Sequence, residues 1–343
     1  MKKTVNADIL SGITVTRTQG LDSDKVTFVF STRENWRIFK LDSVNAIAKA
    51  LPDTKIANDS IVQLSVKHAN TRYYFKVVKN NLDSVIVAET VLPMKGQPNF
   101  RDLGGMVTMD GYRIKWGRLF RSGALDSLTK DDLEYMKSAG IEFDIDFRRV
   151  NEYKNGDVLP EGVKLLRFPI STPPSPNSII SWLNKKDAIA LDTMFIPLYK
   201  SLVMDDSCKI QYRSFLNQLA TIGKSTVYHC SAGKDRTGFA TVLLLSALGV
   251  DRHTILSNYL ETNQYISIAA NSYIVGINKK YKDNRGELLR RSLTVNYQYI
   301  QTSLDLIDHM KGGMEMYLSE KLEITPELIQ ALKKEYLDNY PKK

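Results

Sequence analysis

The sequence predicts an α/β domain with added helices, preceded by a small all-β sandwich-like domain. Three observations carry this expectation. Residues 1–93 hold several short runs that alternate apolar and polar side chains. From Asn99 onward the texture becomes mixed, with helical runs between short strands. Near the middle of that region a short strand, STVYH, enters a charged, glycine-containing loop, and the loop runs into the nearly all-apolar stretch RTGFATVLLLSALG. A chain of 343 residues suggests about two domains. At 43% hydrophobic and 25% charged residues it has enough apolar side chains for a sizeable core.

The N-terminal strands are read from a period of two. In KVTFVFS, Val26, Phe28 and Phe30 share one face; in IVQLSVK, Val62, Leu64 and Val66 oppose Gln63, Ser65 and Lys67. SGITVTR, NWRIFKL, RYYFKVV and SVIVAETV continue the pattern, and QGLDSD and KNNLDS supply turns. Short alternating strands at such spacing suggest a small β-sandwich. VLPMKGQP reads as a linker, which divides the chain into residues 1–93 and 94–343. On this reading a chain beginning near Lys95 folds alone and keeps its chemistry on a small substrate.

In TKDDLEYMKSAG, Thr129 is placed to cap a helix, Asp132 sits at capping-box distance and Gly140 ends it. IEFDIDFRR follows as a strand with Ile141, Phe143, Ile145 and Phe147 on its apolar side. The segment from Ser181 to Leu219 reads as helical, with Pro197 as an interruption. After STVYH and the loop, the apolar helix is expected to be buried against the sheet and capped by Gly249. DRHTILSNYLETNQYI, VNYQYIQTSLDLIDHM and TPELIQALKKEYLDN read as further helices.

The net charge of +9 and a pI near 9.2 favour anionic partners: phosphorylated substrates, membrane surfaces or nucleic acid. No basic run is interleaved with aromatics, so nucleic acid is not expected. Cys208 and Cys230 are too few for a disulfide scaffold. No apolar stretch reaches the roughly 18 residues of a membrane span. MKKTVNADIL has no apolar h-region, so the chain as given reads as cytoplasmic; it reads as periplasmic or secreted if a signal peptide has been removed.

If the strand ends at His229 and the helix starts near Arg236, residues Cys230, Ser231, Ala232, Gly233, Lys234 and Asp235 form a tight turn at a helix N-terminus. Inward backbone N–H groups and the helix dipole there suit an anion of phosphate size. Gly233 lets the backbone turn, and Arg236 offers a planar fork to two phosphate oxygens. The same field acts on the sulfur. A free thiol has a pKa of about 8.5, and such surroundings lower it to about 3.5–7.5. A drop of ~3 units requires ~4 kcal/mol of preferential thiolate stabilisation, to which the amides, Arg236 and the Thr237 hydroxyl all contribute. A Cys230 thiolate attacking phosphorus gives a phosphocysteine, which water hydrolyses. The amides and Arg236 neutralise the equatorial oxygens, so neither a metal nor a cofactor is needed. The competing reading is a buried cysteine beside an arginine that makes a salt bridge.

HCSAGKDRTG matches the signature of cysteine-based protein tyrosine phosphatases, and Gly233 to Gly238 resembles the bacterial family that also includes phosphoinositide phosphatases. NFRDLGG, GRLFRSGAL, DFRRVNEY and NYLETN agree. The resemblance runs from Asn99 to the C-terminus and leaves the N-terminal strands as an accessory domain. It implies a cysteine phosphatase fold, a Cys230 nucleophile and an Arg236 phosphate ligand, with phosphotyrosine proteins as substrates. A lysine at the position of Lys234 also occurs in lipid phosphatases, where it meets extra inositol phosphates, so phosphoinositides stay open as the alternative.

The general acid is less plainly marked, because the Trp-Pro-Asp tripeptide of the familiar tyrosine phosphatases is absent. Asp235 is the first candidate and Asp146 the second, the latter competing with an ion pair that positions Arg236 or Arg148. Asp187, Asp192, Asp205 and Asp206 precede Cys230 at lid-like distances but read as solvated charges. His229 is expected to orient the loop through backbone carbonyls. Asn99, Arg101 and Asp102 are expected to brace the entrance. Cys208 is either a core cysteine or a resolving thiol, and the tyrosines of YLETNQYI read as packing. Two further readings are a phosphate-binding module without catalysis, opposed by intact Cys230, Arg236 and Thr237, and a chain whose function is set by its N-terminal strands. Those strands could bind carbohydrate, a protein or a surface, but Trp36 alone is no aromatic platform.

Overall fold

The computed structural model describes residues 12–18, 23–33, 35–41, 56–57, 60–67, 70–79, 83–153, 156–173 and 195–341. The alternating runs form β1 (Ile13–Thr18), β2 (Ser23–Phe30), β3 (Trp36–Leu41), β4 (Ile56–Ala57), β5 (Ile61–Lys67), β6 (Tyr74–Lys79) and β7 (Asp83–Val87). They pair antiparallel in two sheets, ordered β1-β2-β5 and β4-β3-β6-β7. The period of two puts Val15, Val26, Phe28, Phe30, Val62 and Val66 of one sheet into the same apolar cluster as Trp36, Ile38, Phe75, Val77, Val85 and Val87 of the other. Phe28 meets Phe75 edge-on at 5.0 Å, a contact that joins the two sheets.

The second region is a mixed α/β unit. Its strands are β8 (Arg101–Asp102), β9 (Arg113–Ile114), β10 (Leu119–Ser122), β11 (Phe143–Asp146), β12 (Lys164–Arg167) and β13 (Thr226–His229). A central sheet has the order β12-β11-β13-β10-β8, parallel except for β8 at the edge. The longer helices among the described residues are α1 (Lys130–Ser138), α2 (Phe195–Met204), α3 (Asp206–Ile222), α4 (Arg236–Leu248), α5 (Arg252–Leu260), α6 (Thr262–Tyr281), α7 (Tyr297–Asp308) and α8 (Pro326–Tyr336). After α8, β14 (Leu337–Asp338) pairs with β9. The nearly all-apolar helix α4 lies in the largest cluster, with Tyr212, Phe215 and Leu219 of α3, Ile300 and Leu304 of α7 and Leu332 of α8. Among the described residues no helix is long and apolar enough to cross a membrane.

Local signals account for several boundaries. Thr129 and Asp132 cap α1 reciprocally, and Gly249 ends α4 in the left-handed region at φ 88°. Among the described residues Pro197 lies inside α2, which runs without a break from Phe195 to Met204. The break falls instead at Asp205, which is extended and precedes α3. The part of that expected helix before residue 195, with Asp187 and Asp192, lies outside the described residues. DRHTILSNYLETNQYI divides into α5 and α6 at Glu261, and α6 continues to Tyr281.

The stretch VLPMKGQP is not a free spacer. Leu92 and Met94 are buried with Phe100, Phe120, Leu125 and Met136, and Asp132 accepts from the N–H groups of Lys95 and Gly96 at 2.8 and 2.9 Å. The N-terminal strands also share buried charges with the α/β unit. Arg72 reaches Asp102 at 3.0 Å with both side chains fully enclosed. Glu89 accepts from the Tyr135 hydroxyl, and Arg17 bridges Asp24 at 2.7 Å and the Tyr135 hydroxyl at 3.4 Å. Trp116 donates its indole N–H to the Ile86 carbonyl at 2.9 Å.

These contacts run against the expectation that a chain beginning near Lys95 folds unaided, because it would leave Asp102 buried without Arg72 and uncover Leu92's partners. Burial, only partly offset by Arg72, pushes the Asp102 carboxyl up to about 6. Arg72→Met is therefore expected to destabilise the protein by about 3–5 kcal/mol, as removal of one partner from a buried pair does. Urea denaturation measures it; a loss below about 1 kcal/mol would mean that the pair carries little of the fold.

Candidate functional site

The loop between β13 and α4 lies at the carboxyl end of the parallel strands, with β11 and β10 on either side of β13. Ligand sites of such sheets form at those ends. Its conformation follows from where the carbonyls go. The Cys230 carbonyl is 3.1 Å from His229 Nδ1, and the Ser231 carbonyl accepts from Ala124 N–H at 3.0 Å. The Ala232 carbonyl accepts from Asn99 at 3.2 Å, and the Gly233 carbonyl accepts from Asn99 at 3.3 Å and Arg121 at 2.9 Å. With four successive carbonyls bound from outside, the loop's N–H groups are left for the concave side. Gly233 adopts φ 67°, and a Cβ there would lie 2.3 Å from the Ser122 carbonyl, so glycine is required.

The donors around the loop are themselves fixed. Arg121, fully buried, bonds Asn258 Oδ1 at 2.8 Å with its other terminal nitrogen. Arg101 bonds the Asn258 carbonyl at 2.8 Å and Thr262 Oγ1 at 2.9 Å, and pairs with Glu261 at 3.2 Å. Asp102 accepts from Gly104 and Gly117 N–H, both at 2.8 Å, besides Arg72. Asn99 thus holds the loop carbonyls, while Arg101 ties to Asn258 and Thr262 and Asp102 to Gly104 and Gly117, all three side chains being buried.

Cys230 is 2% exposed. Burial works against its ionisation, but Arg236 and the hydroxyl and N–H of Thr237 outweigh it and hold the thiol below its ordinary value. Arg236 carries a feature the sequence reading passed over. Glu152 binds it in a two-point ion pair, Nη1–Oε2 and Nη2–Oε1 both at 2.7 Å, and accepts from Ser231 Oγ at 2.9 Å. Although burial opposes it, Arg236 keeps the Glu152 carboxyl well below the usual carboxylate range. Glu152 lies within the quoted DFRRVNEY, so the stretch was legible and the residue was not.

The two candidates for general acid differ in their surroundings. Asp146 is fully buried and gripped by Arg148 through Nε at 3.0 Å and Nη2 at 3.0 Å, and by Arg148 N–H at 2.8 Å. That is the ion-pair alternative. Asp235 borders the loop, its Oδ1 accepting from Tyr199 at 2.8 Å. Lys234 Nζ lies 3.1 Å from Asp235 Oδ2, over the Phe195 ring at 4.5 Å, and is only 5% exposed. Cys208 is a core residue bonded to the Ser171 carbonyl at 3.4 Å, its thiol pushed up to about 11 by burial and Asp205. Asp206 pairs with Lys209 at the surface. Tyr199 had no sequence signal of its own; Arg121 and Asn258 lie within the quoted GRLFRSGAL and NYLETN, but their relation to the loop arises from packing between distant elements.

Beneath the loop, His229, Asp144 and Asp157 each place a ligating atom within 4.8 Å of the others. Arg148, 2.6 Å from Asp157, brings positive charge to this acidic group. Burial alone would lower His229, but Asp144, Asp146 and Asp157 outweigh it and raise it to about 9. Because this lies above the ordinary 6.5, protonated His229 stabilises the fold fully below about pH 6.5, and that contribution disappears as pH rises through about 9. The lowered Cys230 thiol contributes in the opposite sense over part of this window. In a Cys230→Ser background, stability is therefore expected to fall by something on the order of 3 kcal/mol between pH 6.5 and 9.5. Urea midpoints across that range should slope down, and adding His229→Asn should flatten them; an unchanged slope would remove His229 as its source.

With this geometry in place, comparison with known proteins is informative. Residues 92–338 match the model of the tyrosine phosphatase family. A Cupriavidus necator protein assigned by its name to the tyrosine-protein phosphatases is 32% identical over 239 residues, covering 66% of this chain and 82% of its own. The triple specificity protein phosphatase PtpB of Mycobacterium tuberculosis is 26% identical over 265 residues, covering 67% of this chain and 93% of its own. The first ninety residues fall outside the family match.

Proposed function

Since the chain belongs to the tyrosine phosphatase family and is an enzyme of the phosphatase class, we propose that it hydrolyses phosphotyrosine in proteins through a phosphocysteine on Cys230. The observation that carries this reading is the outward binding of the loop carbonyls, which leaves a cradle of N–H groups around a buried cysteine of lowered pKa. The Cys230 thiolate forms a bond to phosphorus while the bond from phosphorus to the tyrosine oxygen breaks. The departing oxygen keeps that electron pair and takes the proton of Asp235. A water oxygen then attacks phosphorus, the S–P bond breaks to return the thiolate, and the Asp235 carboxylate takes the water proton as phosphate leaves. Ser231, Ala232, Gly233, Lys234, Asp235, Arg236 and Thr237 surround the phosphoryl oxygens.

Arg236 serves as a fork because Glu152 fixes its plane. A guanidinium has five N–H donors. Glu152 takes one from each terminal nitrogen, and Nη1 also faces the Phe147 and Ile170 carbonyls at 3.4 Å. Nε–H is left for one phosphoryl oxygen, and the second Nη2–H, which meets Ser231 Oγ at 3.3 Å, is the other donor that a bidentate contact needs. Asp235 is the better acid because it borders the loop, whereas Asp146 is fully buried and held by Arg148 through Nε, Nη2 and the backbone N–H. His229, Asn99, Arg101 and Asp102 support the loop without touching substrate.

Phosphoinositides are the second reading, prompted by the lysine at position 234 of the loop. Lys234, the side chain that would greet a further phosphate, is instead engaged by Asp235, the Phe195 ring and, at 3.5 Å, the Thr294 carbonyl, which favours the peptide substrate. On this reading β1 to β7, within residues 1–93, serve as an accessory sandwich to a catalytic region of residues 94–343 and are available to a protein or surface partner.

A panel of phosphotyrosine peptides against soluble phosphoinositides tests the substrate; faster turnover of the lipids reverses the order of the two readings. Cys230→Ser should abolish turnover while phosphate still binds, because a serine hydroxyl is not ionised by the same field. Residual turnover within about tenfold of the parent would place the nucleophile elsewhere. Arg236→Lys should lose kcat by on the order of a hundredfold or more, since one ammonium cannot supply two aligned donors. A rise in KM with kcat intact would contradict that role.

A further inference from the structure

Asp235 occupies the N-cap position of α4, yet its side chain makes no capping hydrogen bond. Aspartate at that position ordinarily accepts from an N–H of the first turn. Here the carboxylate is held from elsewhere. Tyr199, fully buried on α2, donates its hydroxyl to Asp235 Oδ1 at 2.8 Å, and the Tyr259 hydroxyl of α5 lies 2.7 Å from Tyr199.

The direction of this chain of hydrogen bonds follows from counting protons. A carboxylate only accepts and a tyrosine has one hydroxyl proton. Tyr199 spends its proton on Asp235, so Tyr259 must donate to Tyr199. The other acceptor near Tyr259, the Asn296 carbonyl, is at 3.5 Å. Packing holds the array: the Tyr199 ring meets Tyr259 edge-on at 6.4 Å and stacks near Tyr299 at 6.0 Å, and the Tyr199 carbonyl accepts from Ser303 Oγ at 2.6 Å. Lys234 Nζ lies 3.2 Å from Oδ1 and 3.1 Å from Oδ2, so with Tyr199 two donors fill the lone pairs of Oδ1 while Oδ2 keeps one open among the described residues, and the proton of the acid form belongs on Oδ2.

We propose that Tyr199, ordered by Tyr259, is a positioning residue for the general acid: it binds Asp235 Oδ1 and thereby keeps the transferable proton on Oδ2, in one orientation. This rests on the reading of Asp235 as the acid. The other charged and titratable groups facing Asp235 are Lys234, Arg236 and Cys230. Of the neighbours, the two tyrosines are the ones whose removal leaves the phosphate cradle and its charges in place.

The test is Tyr199→Phe, which keeps the ring and removes one oxygen. On a phosphotyrosine peptide, kcat should fall roughly tenfold with KM nearly unchanged, a part of the hundredfold or more that general acids contribute. On 2,4-dinitrophenyl phosphate, whose leaving group needs no proton, kcat should change less than about twofold. In an Asp235→Asn background, Tyr199→Phe should have no further effect on either substrate. Equal losses on both substrates, or full additivity with Asp235→Asn, would overturn the proposal and leave Tyr199 a packing residue. If Asp235→Asn alone slows the peptide and the dinitrophenyl ester equally, the acid assignment fails and the proposal with it. If Asp235→Asn discriminates between them and Tyr199→Phe does not, the proposal fails alone.

Discussion

The orientation of four carbonyl groups governs the rest of this structure. In the loop after β13, the carbonyls of Cys230, Ser231, Ala232 and Gly233 all meet partners outside the turn. A backbone turn exposes N–H groups on one side only if its oxygens are satisfied on the other, since buried polar groups left unpaired are costly. Each partner comes from a different place: His229 from the preceding strand, Ala124 from the segment after β10, Asn99 from before β8, and Arg121 from β10 itself. The parallel order of β11, β13 and β10 brings these segments together at one end of the sheet.

Charge is arranged in layers around that turn. Above it, the Glu152–Arg236 pair holds a guanidinium in one plane. Below it, Asp144, Asp146 and Asp157 share the positive charges of Arg148 and a His229 raised to about 9. Such a buried cluster is tolerable only because its members pair with one another. The consequence reaches the sulfur, whose ionisation is resisted by burial and favoured by Arg236 and Thr237.

The N-terminal strands enter this scheme through Asp102. That residue adjoins Arg101, which grips α5, and lies three positions after Asn99, which grips the loop. Its partner Arg72 belongs to the short segment before β6. A buried ion pair from the accessory sheets therefore ends within a few residues of two supports of the turn. A linker that merely tethered two independent units would not need it.

Much of this was legible in the sequence. Periods of two in KVTFVFS and IVQLSVK mark strands because alternate side chains must enter one core, and Thr129 with Asp132 marks a helix start through a local bond. HCSAGKDRTG marks the turn and its cysteine, because the glycine, the arginine and the apolar helix that follows are contiguous. What the sequence could not determine are relations between segments far apart in the chain. Glu152 on Arg236, Tyr199 on Asp235, Arg121 on Gly233 and Arg72 on Asp102 span 84, 36, 112 and 30 positions. Nor did VLPMKGQP reveal that Leu92 and Met94 are buried, since its proline and glycine suggest a spacer. Local propensities and contiguous motifs act within a few residues of the backbone. Which distant donor faces which carbonyl is decided only when the sheet and helices pack, because direction and distance across a core are properties of the assembled fold.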